Sequence, residues 1–150
     1  MTVRLQLEDF DMGDEISRLR MASPNIGAVV SFVGQVRDLN IGEQVSELTL
    51  EHYPGMTEKA LETIVAKAKN RWDLMEILVI HRIGKLKPLD QIVLVAVSSA
   101  HRGDAFKACE FIMDYLKTEA PFWKKEMLQS GESRWVEAKD SDETARDRWS

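Results

Sequence analysis

The amino-acid sequence predicts an α+β fold: a mixed, largely antiparallel sheet with helices packed on it. Segments with a period-two or β-branched pattern alternate with segments whose apolar residues recur at helical spacing. Predicted strands also follow each other in pairs with no helix between them, which indicates antiparallel hairpins. Neither an internal repeat nor a Gly/Ser-rich or Pro-rich linker interrupts the 150 residues. We therefore expect a single domain.

The elements of the first half each have their own sequence signal. The first strand alternates apolar and polar residues, and the second is rich in β-branched and aromatic residues. After a Gly-containing turn the third strand returns with Val45, Leu48 and Leu50. After Pro54–Gly55 a clean apolar stripe at helical spacing begins, with Thr57 as the expected N-cap. In chain order we predict a strand at 3–7, a helix at 11–21, a strand at 26–37, a turn at 38–42, a strand at 45–53 and a helix at 58–72.

The second half continues with two apolar strands around the turn KLKPLD and then a long helix. We predict strands at 75–83 and 91–98, a helix from about 102 to 118, and one or two short strands after Pro121, including 134–138. The charged end, residues 139–150, is expected to be a frayed tail beyond a domain of residues 1–138. The side chains expected to face inward from the three helices are Met12, Ile16 and Leu19, then Met56, Ala60, Leu61, Ile64, Val65, Ala68 and Trp72, then Phe106, Cys109, Ile112, Met113 and Leu116.

The composition restricts the function classes. A net charge of −5 disfavours binding to nucleic acid and to anionic membranes, so any anionic ligand needs a local basic cluster. No apolar run is long enough to cross a bilayer, and the N-terminus does not resemble a signal peptide, so a cytoplasmic location is expected. One cysteine, Cys109, excludes an internal disulfide, and the three histidines show no metal-binding spacing. We therefore expect no metal site.

Two segments place basic residues where an anion could bind. In SSAHRGDAF, residues 98–106, a strand ends and a helix begins, so that free N–H groups gather beside His101 and Arg102. Arg37 follows a strand that contains Gly34, and glycine within a strand is typical of a bulge or a close backbone approach. In both segments the alternative is an ordinary surface position, with Arg37 pairing with Asp38.

The third candidate segment is KTEAPFWKK, residues 117–125, in which lysines flank Pro121, Phe122 and Trp123. Apolar surroundings lower the pKa of a lysine and make it a usable base or nucleophile. The alternative is a helix end whose lysines favour the helix dipole. Cys109 is rejected as a reactive residue because it shares the inward stripe of its helix, where cysteine usually behaves as a small hydrophobic side chain. His52 and His81 are expected to be structural.

Longer segments of the chain carry a resemblance to a known family: EHYPGMTEKAL (51–61), NRW (70–72), VIHRIGKL (79–86), SSAHR (98–102), FIMDYLKTEAPFWKKE (111–126) and RWVEA (134–138). In this order, and over nearly the whole chain, they closely resemble the large subunit of molybdopterin synthase. The resemblance implies an enzyme that converts cyclic pyranopterin monophosphate into molybdopterin, the dithiolene ligand of the molybdenum cofactor. No cofactor of its own is expected.

The resemblance also implies two kinds of partner. Sulfur arrives on a small ubiquitin-like subunit as a C-terminal glycine thiocarboxylate, and the tail of that subunit threads into a pocket of the large subunit. The family assembles as a dimer of large subunits with one small subunit at each end, a heterotetramer. The alternative function, of a different class, is a non-catalytic dimeric module that binds a phosphorylated metabolite or a ubiquitin-like tail.

Carried over by motif, the resemblance makes Lys117 the central catalytic lysine, as general base or as nucleophile on the thiocarboxylate carbonyl, with Lys124 supporting it. Lys125 and Lys139 stand where arginine is expected in other members, which weakens bidentate phosphate binding there. Arginine and histidine side chains of the site are expected to hold the phosphate and the pterin. The expected substrate-binding residues are Gln35, Val36, Arg37, His101, Arg102, Lys125 and Glu126.

The predicted long helix adds a geometric expectation. If one helix joins His101 to Lys117, its rise of about 1.5 Å per residue separates them by about 24 Å. The two groups then cannot line one small pocket within a single chain. A shared pocket must take His101 and Arg102 from one protomer and Lys117 and Lys124 from its partner, as an isologous dimer allows.

Overall fold

A computed structural model describes residues 1–40, 43–136 and 140–150 of the chain. Within these ranges the chain forms nine strands and four helices. They are β1 (Thr2–Gln6), α1 (Met12–Arg20), β2 (Ala28–Gln35), β3 (Leu39–Asn40), β4 (Glu43–His52), α2 (Met56–Arg71), β5 (Ile77–Arg82), β6 (Gly84–Leu86), β7 (Gln91–Ser99), α3 (Arg102–Glu119), β8 (Phe122–Leu128), β9 (Ser133–Val136) and α4 (Asp140–Asp147).

The first sheet has the strand order β1-β5-β7-β2. β1 runs parallel to β5, and the other two pairs are antiparallel. The central strands β5 and β7 are almost continuous aliphatic runs because helices cover both faces of the sheet. Side chains such as Val79 and Val95 pack against α2 and α3, whereas Ile80 and Leu94 pack against Leu19 of α1. The main core therefore lies between this sheet and the two long helices.

The second sheet has the order β3-β4-β8-β9, and β6 also pairs with β4. It has its own small core, formed by Val36, Leu48, Leu50 and Leu86. The chain passes from α3 directly into β8, so the end of the helix meets this second sheet. The predicted α+β fold with a largely antiparallel sheet is confirmed. No helix among the described residues is long and apolar enough to span a membrane.

The hairpin expected between the second and third strands is wrong. β2 pairs with β7 in the first sheet, and β4 pairs with β8 in the second. The strand types were predicted from local pattern, whereas pairing partners depend on contacts far apart in sequence. Val29 and Val33 of β2 pack on the core beneath α1, and Leu48 and Leu50 of β4 pack on the separate small core.

Most of the inward-facing helical positions are confirmed, including Leu61 and Ile112, which are almost fully buried. Met12, Met56 and Phe106 are exposed instead. The two methionines are the first residues of α1 and α2. Phe106 follows Ala105, which is fully buried, and one residue turns a helix by about 100° and so carries the next side chain out of the stripe.

The expectation that Thr57 caps α2 is also wrong, since the helix begins at Met56 and Gly55 is its N-cap. Gly55 has a φ of +84°, and its N–H donates to the Glu58 carboxylate. The Thr57 hydroxyl is buried, accepts a hydrogen bond from the Tyr53 N–H and donates to the Pro121 carbonyl, both at 3.0 Å. Thr57 thus ties the start of α2 to the turn between α3 and β8.

The end of the chain differs from the frayed tail that its charge predicts. Residues 140–147 form α4, which packs on α3. Arg148 pairs with Asp114 at 2.8 Å, and the Trp149 indole N–H donates to the same carboxylate at 2.7 Å. The Trp149 ring also contacts Trp72 and Phe111 edge-on. Paired charges and one aromatic side chain therefore hold this segment on the domain. The strand expected at 134–138 is found as β9, and residues 137–139, including Lys139, lie outside the described residues.

Candidate active site

A cleft of about 290 Å³ lies where the edge of the first sheet, the end of α3 and the second sheet meet. Its walls include apolar side chains from all three parts, such as Phe32, Leu116 and Phe122. Its polar lining is formed by Gln35, Arg37, His81, Lys117, Lys124, Glu126 and Asp142. The size suits a small-molecule ligand, since such pockets begin at roughly 300 Å³.

The turn between α3 and β8 brings Lys117 and Lys124 to the same cleft. Lys117 lies in the last turn of α3 and is exposed, whereas Lys124 lies on β8 and is half-buried. Between them the chain reverses at Ala120 and Pro121, where the Phe122 N–H donates to the Ala120 carbonyl at 2.9 Å. The Thr57 hydroxyl fixes the Pro121 carbonyl. The two lysines predicted to act together are therefore brought together.

Strand alternation decides which of the following residues reach the cleft. Glu126 is two residues after Lys124, so both side chains point to the same face of β8. The Glu126 carboxylate is buried and lies 3.7 Å from Nε of Arg134 on β9. Lys125 points to the opposite face, where its Nζ lies 5.7 Å from the centre of the Trp135 ring. Lys125 therefore does not line this cleft, and its expected role in substrate binding stays a prediction.

The segment after β2 forms the opposite wall. The strand has an irregular register between Gly34 and Gln35, as the glycine predicted, and a Cβ on Gly34 would come within 2.9 Å of the Val93 side chain. Val36 is buried, donates its N–H to the Asp90 carbonyl and accepts a hydrogen bond from the Leu89 N–H, both at 2.9 Å. This anchor leaves Arg37 exposed at the cleft, with its guanidinium available to an anion.

His101 and Arg102 lie at the other end of α3. His101 is the N-cap residue, without a capping hydrogen bond from its side chain, and both residues are exposed. Neither lines the cleft. The helix has 18 residues, which corresponds to a length of about 27 Å. Within one chain these residues and Lys117 therefore do not converge, as the helix geometry predicts.

His81 is a cleft residue that the sequence interpretation left among the structural histidines. It lies on β5, is only 3% exposed, and its ring stacks on Phe122 with 3.9 Å between the ring centres. The pKa of His81 is lowered to about 3, mainly because the ring is buried. The hydrogen bond to the Arg82 carbonyl acts to raise this pKa, whereas the nearby charges of Lys124 and Lys117 act to lower it. The sequence signal that could have pointed to His81 is a polar residue within the otherwise aliphatic run of a central strand.

Cys109 and a metal site are the other kinds of chemistry to consider. Burial raises the pKa of the Cys109 thiol to about 12, so the group stays protonated and behaves as a small core side chain. Among the described residues, no group of three His, Cys, Asp or Glu side chains is arranged to hold a metal ion. The cleft thus offers cations, one neutral imidazole and carboxylates, which is a set suited to proton transfer and anion binding.

Fold and cleft define a two-sheet α+β protein with a basic cleft of small-molecule size at the junction of its sheets. A family model described as MoaE protein matches residues 5–119. The chain belongs to this family, which confirms the resemblance seen in the sequence.

Relatives and solved structures agree with this membership. The molybdopterin synthase catalytic subunit of Ralstonia nicotianae is 66% identical over 148 residues, which is 99% of this chain and 84% of the relative. The molybdopterin biosynthesis MoaE protein of Burkholderia ambifaria has a solved structure that is 56% identical, with a TM-score of 0.84 over 99% of this chain and 97% of that chain. A complex of subunits 1 and 2 of molybdopterin-converting factor from Helicobacter pylori is 20% identical, with a TM-score of 0.72 over 92% and 90% of the two chains. That last likeness shows the fold.

Proposed function

We propose that this chain is the catalytic subunit of a molybdopterin synthase. It transfers sulfur from the C-terminal thiocarboxylate of a small ubiquitin-like subunit to cyclic pyranopterin monophosphate and so makes the dithiolene of molybdopterin. The observation that carries the proposal is the cleft with Lys117 and Lys124, in a chain 66% identical to a relative of that name. A cytoplasmic location belongs to the same proposal.

In this proposal the lysines carry the chemistry. Lys117 acts as general base or attacks the thiocarboxylate carbonyl, and its place at an exposed helix end gives it access to an incoming peptide tail. Lys124 supports it by charge or by proton transfer from the facing strand. Glu126 lies on the same face of β8 and contributes a carboxylate within the cleft.

The side chains of the opposite wall hold the substrate. Arg37 binds the phosphate, for which a planar guanidinium offers two parallel hydrogen bonds. Gln35 supplies amide donor and acceptor groups, and the anchored backbone at Val36 keeps both neighbours in place. The cleft lies at the protein surface, so the tail of the small subunit and the pterin can enter it from solvent.

A second copy of the chain completes the site. His101 and Arg102 are exposed at the far end of α3 and do not line the cleft of their own chain. In the proposed homodimer they reach the cleft of the partner protomer and help to hold the pterin phosphate. One small subunit then binds at each end, which gives a heterotetramer.

Reconstitution tests the function. The purified chain is mixed with thiocarboxylated small subunit and cyclic pyranopterin monophosphate, and the product is followed after oxidation to a fluorescent pterin. Lys117→Ala should lower turnover by roughly 10²–10⁴-fold, as the loss of a general base does, while small-subunit binding is kept. Lys107→Ala is the matched control, because Lys107 is exposed on the same helix and does not line the cleft.

The alternative function, a non-catalytic dimeric binding module, predicts a different outcome. The unmodified chain would then bind the small subunit or the phosphorylated ligand tightly and yield no product. Lys117→Ala would weaken ligand binding only modestly. Product from the unmodified chain and from Lys107→Ala, but not from Lys117→Ala, excludes this alternative.

A further inference from the structure

His81 has one ring nitrogen whose role is settled by its surroundings. Nδ1 lies 2.7 Å from the carbonyl oxygen of Arg82. A carbonyl only accepts, so Nδ1 carries the hydrogen and donates it. Burial keeps the ring neutral, with a pKa of about 3. In a neutral imidazole with hydrogen on Nδ1, the other nitrogen, Nε2, is a hydrogen-bond acceptor.

Nε2 has no such partner in the part of the chain that the structure describes. The fully buried side-chain atoms of these residues that lack a hydrogen-bond partner are Nε of Arg4 and Nε of Arg134. Nε2 of His81 is not one of them, so it keeps some accessible surface. The residue lines the cleft, and stacking on Phe122 fixes the plane of the ring. The Nδ1 hydrogen bond and the stacking on Phe122 thus hold the His81 ring in place, and Nε2 is the nitrogen that a ligand in the cleft can contact.

Gln35 is the other neutral polar side chain that lines the cleft among the described residues, and its amide both donates and accepts, whereas Nε2 of the neutral His81 ring only accepts. Arg37, Lys117 and Lys124 are cationic donors. Glu126 and Asp142 are acceptors, but both are carboxylates, and Glu126 lies beside Arg134. A further carboxylate at the position of His81 would repel an anionic ligand and neutralise the lysines. A neutral acceptor does neither, so it can orient a ligand that is itself an anion.

We propose that Nε2 of His81 accepts a hydrogen bond from an N–H group of the ligand bound in the cleft and so orients it beside Lys117 and Lys124. This inference rests on the proposed function. Two ligands of that function carry such a group: the pterin ring and the peptide backbone of the small subunit's tail. His81 is therefore a binding and positioning residue whose loss should act on affinity before it acts on the chemical step.

Three substitutions separate the two nitrogens. His81→Gln places an amide oxygen near the position of Nε2, whereas His81→Asn reaches only the position of Nδ1 and keeps a donor for the Arg82 carbonyl. His81→Phe keeps the stacked ring and removes both nitrogens. Thermal unfolding of each variant verifies that it is folded, and if His81→Asn does not fold, His81→Phe decides the outcome.

Two binding measurements and one kinetic measurement test the proposal. Equilibrium dialysis gives the affinity for cyclic pyranopterin monophosphate without small subunit, and titration gives the affinity for the small subunit without pterin. In reconstitution, the KM for the ligand that His81 contacts should rise roughly five- to tenfold in His81→Asn and His81→Phe, with kcat within about twofold of the unmodified chain. His81→Gln should restore most of the affinity, which a purely structural role would not predict.

The ligand whose affinity falls in the variants is the one that supplies the N–H group: the pterin if dialysis shows the loss, or the peptide tail if the small-subunit titration does. Unchanged affinity for both ligands in folded His81→Asn and His81→Phe overturns the proposal, as does an equal loss in His81→Gln. Failure of the proposed function is recognised separately. In that case the unmodified chain gives no product, while dialysis still shows whether His81 contributes to pterin binding.

Discussion

The buried neutral ring of His81 should make the protein less stable in mild acid. In the unfolded chain the imidazole has its ordinary pKa of 6.5, and in the folded chain the pKa is about 3. Below pH 6.5 the unfolded state therefore binds a proton that the folded state refuses. The free energy of unfolding falls as the pH decreases from 6.5 towards 3, by about 1.4 kcal/mol per pH unit.

The size of this effect can be worked out from the two pKa values of His81. Between pH 7.5 and pH 5 the loss amounts to about 2 kcal/mol of unfolding free energy. Desolvation of the ring is the main cause, and the charges of Lys124, Lys117 and His52 add to it. Asp9 has a pKa below 3.8 in the folded chain, so its contribution to stability is lost only as the pH falls below that window.

Urea denaturation followed by tryptophan fluorescence measures this loss at pH 7.5 and pH 5.0 and at constant ionic strength. His81→Phe is the comparison, because it keeps a ring against Phe122 and has no group that titrates. The other two histidines are the same in both proteins, so their contributions cancel in the difference. The unmodified chain should lose about 2 kcal/mol more than the variant. Equal losses in the two proteins would refute the burial argument.

Three further substitutions have defined outcomes. Cys109→Ala should keep full activity in reconstitution, because the thiol is buried and its pKa is about 12, and should cost about 1 kcal/mol of stability in urea. Trp149→Ala should lower the unfolding free energy by about 2 kcal/mol and expose the end of the chain to protease, because the ring and its bond to Asp114 hold that segment. Gly27→Ala should lower the melting temperature, since its Cβ would come within 2.1 Å of the Ala100 carbonyl oxygen.

Local patterns predicted the elements of the core well. The helical stripe around Leu61 and Ile64 and the aliphatic strands β5 and β7 each bury the side chains that their periodicity indicates. Burial at these positions follows from repeat spacing alone. The pairing of β2 with β7 did not follow, because it depends on contacts about sixty residues apart in sequence. Helix α4 was missed because its charges suggest solvent, and the contacts of Arg148 and Trp149 with Asp114 are not local.

The cleft was partly predictable. The resemblance supplied Lys117 and Lys124, and the structure adds the reversed chain at Pro121 that brings them together. The position of Lys125 could have been predicted, because adjacent residues of a strand point to opposite faces. His81 was harder to place, since a histidine in a buried strand is usually structural, and its contact with Phe122 across the two sheets could not be read from the sequence.

The shared site can be tested by complementation between two inactive variants. Lys117→Ala removes the lysine of one protomer, and Arg102→Ala removes the cation that the partner is proposed to contribute. In a heterodimer of the two variants, one site lacks both residues and the other site is intact. Differently tagged chains that are co-expressed and purified through both tags should therefore recover about half the unmodified activity.

The result distinguishes a shared cleft from a self-contained one. If Lys117 and Arg102 acted within the same chain, each protomer of the heterodimer would lack one of them, and activity would stay at the level of the single variants. A site formed by Lys117 and Arg102 of the same chain is hard to reach, because the two residues lie at opposite ends of α3, a helix of 18 residues. Recovery of activity would make dimerisation a requirement of catalysis, since neither chain alone could assemble the site.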